Sequence, residues 1–175
     1  MEIINGERLV LGTCYYPEHW DESLWRDDLK RMLENGIEVI RIAEFAWSKI
    51  ERYEGVFNYD FFDRFLDAAA EIGMKVIFCT PTATPPAWLT EKYPEVLNAT
   101  MDGVLYRHGG RRHYNYNSPK YQELTRIIVE KSASHYAKHP AIIGWQIDNE
   151  IYPYNEGCFC ENCKAAFRLW LKDKF

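Results

Sequence analysis

The sequence lacks long hydrophobic runs and clusters of basic residues, and its first residues do not have the pattern expected of a secretory leader. No apolar stretch approaches the ~20 residues of a membrane-spanning helix. Residues 1–14 carry acidic side chains where a signal peptide would be basic and then apolar. The net charge is −5, and acidic and basic residues are intermixed along the chain. This pattern does not predict a basic surface that would bind nucleic acid or anionic lipid. We therefore expect a soluble, cytoplasmic protein with no nucleic-acid partner and no membrane partner.

Cysteine is scarce, and its distribution argues against a disulfide framework. The chain has five cysteines, and three of them, Cys158, Cys160 and Cys163, fall within six positions. This spacing indicates free thiols or a metal site in a reducing compartment. Aromatic residues are abundant by contrast, with six Trp and twelve Tyr. Such rings line sugar-binding clefts, although burial in a core is the simpler explanation.

Strand and helix patterns alternate along most of the chain. The hydrophobic periods predict strands at 8–16, 37–45, 74–80 and 141–147, and helices at 21–36, 58–73, 119–139 and 163–175. Gly36 and Gly73 are placed to end the first two helices. Four prolines in 81–95 break the regularity and allow at most a short helix at 87–92. We therefore interpret 81–118 as a long loop, a feature that is usually functional in compact folds.

The alternation of strands and helices predicts a parallel sheet. A doubly wound sheet would place a glycine-rich turn after the first strand, but the sequence contains no G-x-G-x-x-G and no G-x-x-x-x-G-K. Polar side chains follow the strand ends instead, as in a TIM (β/α)8 barrel, whose active site lies at that edge. A barrel has eight strands and usually ~250 residues, whereas we recognise four strands. We expect residues 1–175 to be a single partial barrel domain.

A carboxyl group stands at the end of the fourth predicted strand. The apolar run that contains Trp145 ends in Asp148, Asn149 and Glu150, and Tyr152 follows. Crowding by the two aromatic rings would desolvate Glu150 and raise its pKa, as a general acid requires. The alternative is that the three polar residues cap the next element or form a surface ion pair. Their place after a strand, among other polar strand ends, favours catalysis.

Five stretches carry a family resemblance. The segment GWQIDNE resembles the acid/base motif of glycoside hydrolase family 42, the β-galactosidases of a large retaining clan with (β/α)8 barrels. The segments CYYPEHW, VIRIAEFAWS, TPTATPPAWL and GRRHYNYNSP are similar to other segments of the family and occur in the same order. The resemblance runs from about position 9 to the last helix. It implies retaining hydrolysis of terminal β-D-galactosides.

The resemblance implies roles for individual residues. Glu150 matches the acid/base, and Asn149 matches the residue that holds the 2-hydroxyl of the sugar. Arg111 matches a substrate-binding arginine, and Arg41 matches an arginine that lines the galactose subsite. For Arg41 a structural ion pair with Glu44 is a close alternative.

The resemblance also implies what these 175 residues do not contain. In the family the nucleophile, a second carboxylate, follows the seventh strand, and no Asp or Glu here matches it. The chain is therefore expected to be the N-terminal half of the catalytic barrel and to be inactive alone. A half barrel exposes strand edges and apolar faces, so we expect a homo-oligomer or a complementary C-terminal fragment as its partner. For Arg112 and His113 we expect a structural or supporting role.

The cysteine cluster is expected to be structural. Cys158, Cys160 and Cys163 could bring three thiolates to one ion, and structural zinc usually takes four ligands. The resemblance implies a fourth cysteine at a position where this sequence has Asn115, and an amide oxygen is a poor ligand for thiolate-bound zinc. Zinc held by three thiolates and a metal-free loop both stay open. Catalysis by two carboxylates needs no cofactor.

Two other functions compete with β-galactoside hydrolysis. One is a different retaining glycosidase of the same clan, because the Asn149–Glu150 pair is shared across that clan. The other is a non-catalytic carbohydrate-binding or zinc-binding module that keeps sugar contacts without chemistry.

Overall fold

The computed structural model describes residues 9–110, 112–151 and 157–175. The strands in these ranges are β1 (Leu11–Cys14), β2 (Ile37–Ile42), β3 (Glu51–Tyr53), β4 (Val56–Phe57), β5 (Lys75–Cys79) and β6 (Ile142–Gln146). The α-helices are α1 (Trp25–Glu34), α2 (Trp47–Ile50), α3 (Asp60–Ile72), α4 (Ala87–Lys92), α5 (Pro119–Tyr136) and α6 (Glu161–Lys174). Short 3-10 helices cover Pro17–His19, Glu22–Leu24, Pro81–Ala83 and Pro94–Val96.

A parallel sheet with the strand order β1-β2-β5-β6 organises the described chain. Its strands are the four that the sequence predicts, and α1, α3, α5 and α6 are the four predicted helices. Local chemistry sets their ends. Helix α3 ends at Gly73, whose φ of 88° is left-handed. Helix α5 begins after Ser118, whose side chain accepts a hydrogen bond from the backbone N–H of Tyr121, with Pro119 in the first turn.

Alternation along the strands buries one face of the sheet beneath the helices. Ile40, Ile42, Val76 and Phe78 are fully buried and belong to the main hydrophobic cluster. Phe62 of α3 packs edge-on against Phe78, with ring centroids 5.7 Å apart. Since successive side chains of a strand point to opposite faces, this packing directs the residues between them to the other side.

The other face carries small and polar side chains at the C-terminal ends of the strands. The strand register pairs Cys14 with Arg41 and Cys79 with Gln146, and residues paired in register point to the same side. Arg41 and Gln146 are only partly buried. The polar strand ends predicted from the sequence therefore lie on one edge of the sheet.

Helix α2 and the antiparallel hairpin β3–β4 are absent from the sequence prediction. The hairpin is organised by Glu51, which is 2% exposed. Its carboxylate accepts hydrogen bonds from Trp47 Nε1 at 2.7 Å and from the Gly55 backbone N–H at 2.8 Å. Burial raises the pKa of Glu51. Two or three residues per strand are too few for a period to be visible in the sequence.

The outer edges of β1 and β6 have no strand partner in the described part of the chain. Apolar side chains accompany them. Leu9 and Leu11 are 93% and 59% exposed, and Ile147 and Ile151 are 70% and 69% exposed. Both edges thus combine backbone hydrogen-bonding groups with an apolar surface. None of the described helices is both long and apolar enough to cross a membrane.

The core makes a direct prediction about stability. Leu29 of α1 is fully buried, whereas Leu24, five residues earlier in the preceding 3-10 helix, is 45% exposed. Leu29→Ala is expected to lower the free energy of unfolding by about 2–5 kcal/mol because it removes packed methyl groups and leaves a cavity. Leu24→Ala is the matched control and should cost well under half as much. Denaturant unfolding of both variants measures the difference, and equal losses would contradict this core assignment.

Candidate active site

Arg41 is the centre of a hydrogen-bond network at the C-terminal edge of the sheet. Its Nη1 donates to Gln146 Oε1 at 2.7 Å, and its Nη2 donates to Glu44 Oε1 at 2.9 Å and lies 3.0 Å from Cys14 Sγ. The ion pair with Glu44, weighed as an alternative from the sequence, is present. This ion pair does not remove Arg41 from the candidate site, because the Arg41 side chain is still 32% exposed.

The carboxylate of Glu44 holds the Arg41 guanidinium in place. The residue is fully buried and also accepts a hydrogen bond of 2.8 Å from the Tyr16 hydroxyl. Burial, together with this hydrogen bond and the nearby carboxylate charge, raises the pKa of Tyr16 to about 12. Tyr16 therefore stays protonated and donates to Glu44 at neutral pH. The carboxylate is shared between a cation and a hydroxyl, which stabilises a buried negative charge.

Gln146 connects Arg41 with Asn149. Its Oε1 accepts from Arg41, while its Nε2 donates to the Asp148 carbonyl at 2.8 Å and to Asn149 Oδ1 at 3.2 Å. Arg41 and Asn149, two of the residues predicted to bind the sugar, are therefore linked through a single amide. Gln146 is a member of the site that the sequence motifs do not predict. The signal was a polar residue in a strand that is otherwise apolar.

The segment Asp148–Glu150 turns sharply at the end of β6. Asp148 and Glu150 have left-handed backbone conformations, with φ of 54° and 47°. Asp148 is 7% exposed, and its carboxylate accepts a hydrogen bond of 2.9 Å from Thr82 Oγ1. Its backbone N–H donates to Thr80 Oγ1 at 2.7 Å. The turn is therefore anchored to the loop that follows β5.

Glu150 lies at the rim of this turn. It helps to line a cavity of about 100 Å³ that also contacts Phe45, Thr84 and Asn149. The residue is exposed, so the desolvation expected from the sequence is not provided by the described part of the chain. Trp145 packs against Phe78 instead, with ring centroids 5.4 Å apart, and residue 152 lies outside the described residues.

Of the two adjacent arginines in the long loop, Arg111 and Arg112, the structure describes only Arg112. Arg111 lies outside the described residues. Arg112 is 7% exposed and forms an ion pair of 3.0 Å with Asp148. His113 Nδ1 lies 2.6 Å from the Gly110 carbonyl, and burial lowers the pKa of the imidazole. Both buried side chains thus make internal contacts, in keeping with the structural role expected for them.

The three clustered cysteines come together as their spacing predicts. The sulfur atoms of Cys158, Cys160 and Cys163 lie within 4.8 Å of one another. Asn115 Nδ2 donates to Cys160 Sγ at 2.9 Å, and Asn115 Oδ1 accepts from Cys163 Sγ at 3.2 Å. The Asn117 amide lies 3.4 Å from Cys163 Sγ. Three sulfur donors this close could hold one soft metal ion, with the Asn115 amide beside them instead of a fourth thiolate.

A larger groove lies away from the candidate sugar-binding residues. Its volume is about 1100 Å³, and its walls come mainly from α2, the β3–β4 hairpin, α4 and the N-terminal part of α3. Arg41, Asn149 and Glu150 do not line it. The groove is therefore not a candidate for the sugar site, although it is much larger than the cavity beside Glu150.

Comparison with known proteins identifies relatives for this arrangement. The model of the family described as beta-galactosidase, glycoside hydrolase family 42, matches residues 14–175. Beta-galactosidase Bga of Halorubrum lacusprofundi is 42% identical over 94% of this chain, which covers 24% of that relative. Beta-galactosidase BgaA of Thermus sp is 44% identical over 95% of this chain, which covers 26% of it.

Solved structures match the fold equally well. The crystal structure of a β-galactosidase from the psychrophilic Marinomonas ef1 gives a TM-score of 0.91 at 42% identity, over 95% of this chain and 26% of that chain. A β-galactosidase from Bacillus circulans sp. alkalophilus gives a TM-score of 0.88 at 33% identity, over 96% of this chain and 24% of that chain. The predicted partial (β/α)8 barrel is thereby confirmed. The chain spans about a quarter of the length of these relatives, and it belongs to glycoside hydrolase family 42.

Proposed function

We propose that residues 1–175 form a single partial-barrel domain, the first βα units of the catalytic barrel of a retaining β-galactosidase, with Glu150 as its general acid/base. The observation that carries this proposal is the hydrogen-bonded series from Arg41 through Gln146 to Asn149. It brings two polar groups suited to sugar hydroxyls to the strand-end edge where Glu150 stands. The family membership supports a terminal β-D-galactoside as the substrate.

The proposed reaction divides the work between two carboxyl groups. Glu150 donates its proton to the glycosidic oxygen as the bond to the anomeric carbon breaks, and a second carboxylate takes the sugar as a covalent ester. Glu150, now ionised, then removes a proton from the water that hydrolyses this ester. Retaining geometry requires about 5–5.5 Å between the two carboxyl groups. We infer that the second carboxylate comes from a part of the barrel outside residues 1–175.

The sugar-binding roles follow from hydrogen-bonding capacity. The Asn149 amide can donate to the 2-hydroxyl of the galactose through its Nδ2, because its Oδ1 already accepts from Gln146. The guanidinium of Arg41 is held by Glu44 and Gln146, which preorganises it as a donor near the sugar. The substrate-binding role of Arg111 remains part of the proposal on the strength of the family motif alone.

The open sheet edges support a partner. The uncovered edges of β1 and β6, with the exposed side chains of Leu11 and Ile147 beside them, fit a complementary C-terminal fragment or a second copy of the chain. A strand added at each edge would satisfy the backbone groups and bury the apolar surface.

We further infer a structural zinc site in a cytoplasmic protein. The convergence of Cys158, Cys160 and Cys163 supports three thiolate ligands, and unpaired thiols are typical of a reducing compartment. The ion would stabilise the loop between β6 and α6. Hydrolysis by two carboxyl groups requires no cofactor.

The acid/base assignment is tested in a fusion in which this chain replaces the matching N-terminal quarter of Thermus sp BgaA. Glu150→Gln is expected to lower kcat/KM on phenyl β-galactoside by ~10²–10⁴-fold, because a carboxamide cannot donate the proton. Azide should restore turnover of an activated aryl galactoside and yield β-galactosyl azide, since an anionic nucleophile needs no general base. Product analysis and initial rates measure both effects.

Glu71→Gln is the control, because Glu71 forms an ion pair with Arg26 in which both side chains are more than half exposed. This variant should keep the activity of the parent fusion. Full activity of the Glu150→Gln fusion would refute the assignment, and so would turnover by the 175-residue chain alone that survives the same substitution.

The metal assignment has a separate test. Protein purified without added metal should contain about one zinc per chain by elemental analysis, and Cys160→Ser should lower this content. Asn115→Cys should slow the loss of zinc to a chelator by about tenfold or more, because it supplies the fourth thiolate of a tetrahedral site. Cys14→Ser, outside the cluster, is the control. A zinc content that is unchanged by Cys160→Ser would contradict the site.

A further inference from the structure

The backbone around the proposed acid/base is held in an unusual conformation. Asp148 and Glu150 both have positive φ, although neither is a glycine. Left-handed backbone is sterically disfavoured for residues with a Cβ, although Asp adopts it more readily because its side chain can accept a local hydrogen bond, as Asp148 does from the Asn149 backbone N–H. At Glu150 it persists only where the surrounding contacts enforce it. Asn149 lies between the two, so the turn carries two of the residues assigned to contact the sugar, Asn149 and Glu150. What enforces this turn therefore determines where these side chains point.

Arg112 contacts both left-handed residues. Its Nη1 donates to Asp148 Oδ1 at 3.0 Å, and its Nη2 donates to the backbone carbonyl of Glu150. A guanidinium holds its two Nη atoms in one rigid plane, so these contacts set the spacing between the Asp148 carboxylate and the Glu150 carbonyl. A lysine would supply the charge without this second, fixed donor.

Two hydrogen bonds from the loop after β5 reach Asp148, whereas those of Arg112 reach both of the left-handed residues, Asp148 and Glu150. Thr80 and Thr82 hydrogen-bond to the backbone N–H and the carboxylate of Asp148. They fix the start of the turn to the neighbouring strand end. The second Nη of Arg112 extends the anchorage to the backbone of Glu150 itself.

Arg112 is itself held firmly in place. Its Nη1 donates to the hydroxyls of Tyr114 and Tyr116, and its carbonyl accepts from Asn98 Nδ2 at 2.7 Å. Arg112 and Tyr114 are 7% and 1% exposed. Although burial alone would lower its pKa, the hydrogen bonds and negative charge of Asp148 raise the pKa of Arg112. The guanidinium is thus a permanently charged, preorganised anchor.

We propose that Arg112 is a positioning residue of the hydrolase, which directs the Glu150 carboxyl by bridging the Asp148 carboxylate and the Glu150 carbonyl. The inference rests on the proposed function, in which Glu150 is the acid/base. Arg112 does not need to touch the sugar for this role. Its loss should therefore impair proton transfer more than substrate binding.

The kinetic test uses the BgaA fusion with Arg112→Met and Arg112→Lys. For Arg112→Met, kcat on phenyl β-galactoside should fall by ~100-fold, the effect of a displacement of about 1 Å at a catalytic group, while KM changes by less than about threefold. Arg112→Lys should lie between this variant and the parent. Arg64→Met is the matched control, because Arg64 pairs with Glu22 at the surface with 54% of its side chain exposed.

Substrates with different leaving groups distinguish a misplaced general acid from a general loss of active-site structure. A 2,4-dinitrophenolate departs without protonation, whereas a phenolate needs the acid. Arg112→Met should therefore lose at least about tenfold less activity on 2,4-dinitrophenyl β-galactoside than on the phenyl glycoside in the bond-breaking step, measured under single-turnover conditions. Equal losses on the two substrates, or a loss confined to KM, would overturn the proposal.

A crystal structure tests the bridging role of Arg112 separately from the proposed function. In a crystal structure of the Arg112→Met fusion, Asp148 or Glu150 should leave the left-handed region. Retention of both positive φ values would overturn the bridging role, whatever the kinetics. Loss of them in a fusion in which Glu150→Gln has no effect on hydrolysis would instead uphold the bridge and refute the acid/base assignment.

Discussion

Parallel pairing of β1, β2, β5 and β6 is the constraint on which the rest of the arrangement depends. Parallel strands finish at a common edge, so side chains far apart in sequence meet there. Arg41 and Gln146 are 105 positions apart, yet their side chains are hydrogen-bonded at 2.7 Å. The helices cover one face of the sheet, and this leaves the opposite face for polar groups. The candidate site is therefore a direct consequence of the strand register.

Arg41, which is partly buried, and Arg112, which is buried, are paired with carboxylates in different ways at this edge of the sheet. Arg41 pairs with Glu44, three residues farther along the chain, so its partner comes from the end of its own strand. Arg112 pairs with Asp148 across 36 positions, which ties the long loop 81–118 to the end of β6. Removing one member of a buried pair leaves an uncompensated charge. The second pair therefore couples the conformation of the loop to that of the turn at Glu150.

The repeating part of the fold was predictable because its signals extend over many residues. Helix α3 has apolar residues at helical spacing and ends at Gly73, whose left-handed backbone matches the expected stop. The β3–β4 hairpin could not be predicted, since strands of three and two residues show no period. Gln146 was missed because its role depends on which face of β6 it occupies, and that face is set by pairing with β5. The bridge from Arg112 depends on backbone angles that side-chain patterns do not encode.

Glu150 is exposed in the described part of the chain, as are apolar side chains near the outer edge of β6. A carboxyl in contact with water loses its proton well below neutral pH, and a general acid therefore needs a drier environment. In the described chain Ile147 and Ile151, which lie within three residues of Glu150 in sequence, are exposed as well. One covering segment would bury the apolar side chains and desolvate the carboxyl together. In the proposed enzyme, closure of the barrel is thus both the step that completes the core and the step that makes the acid effective.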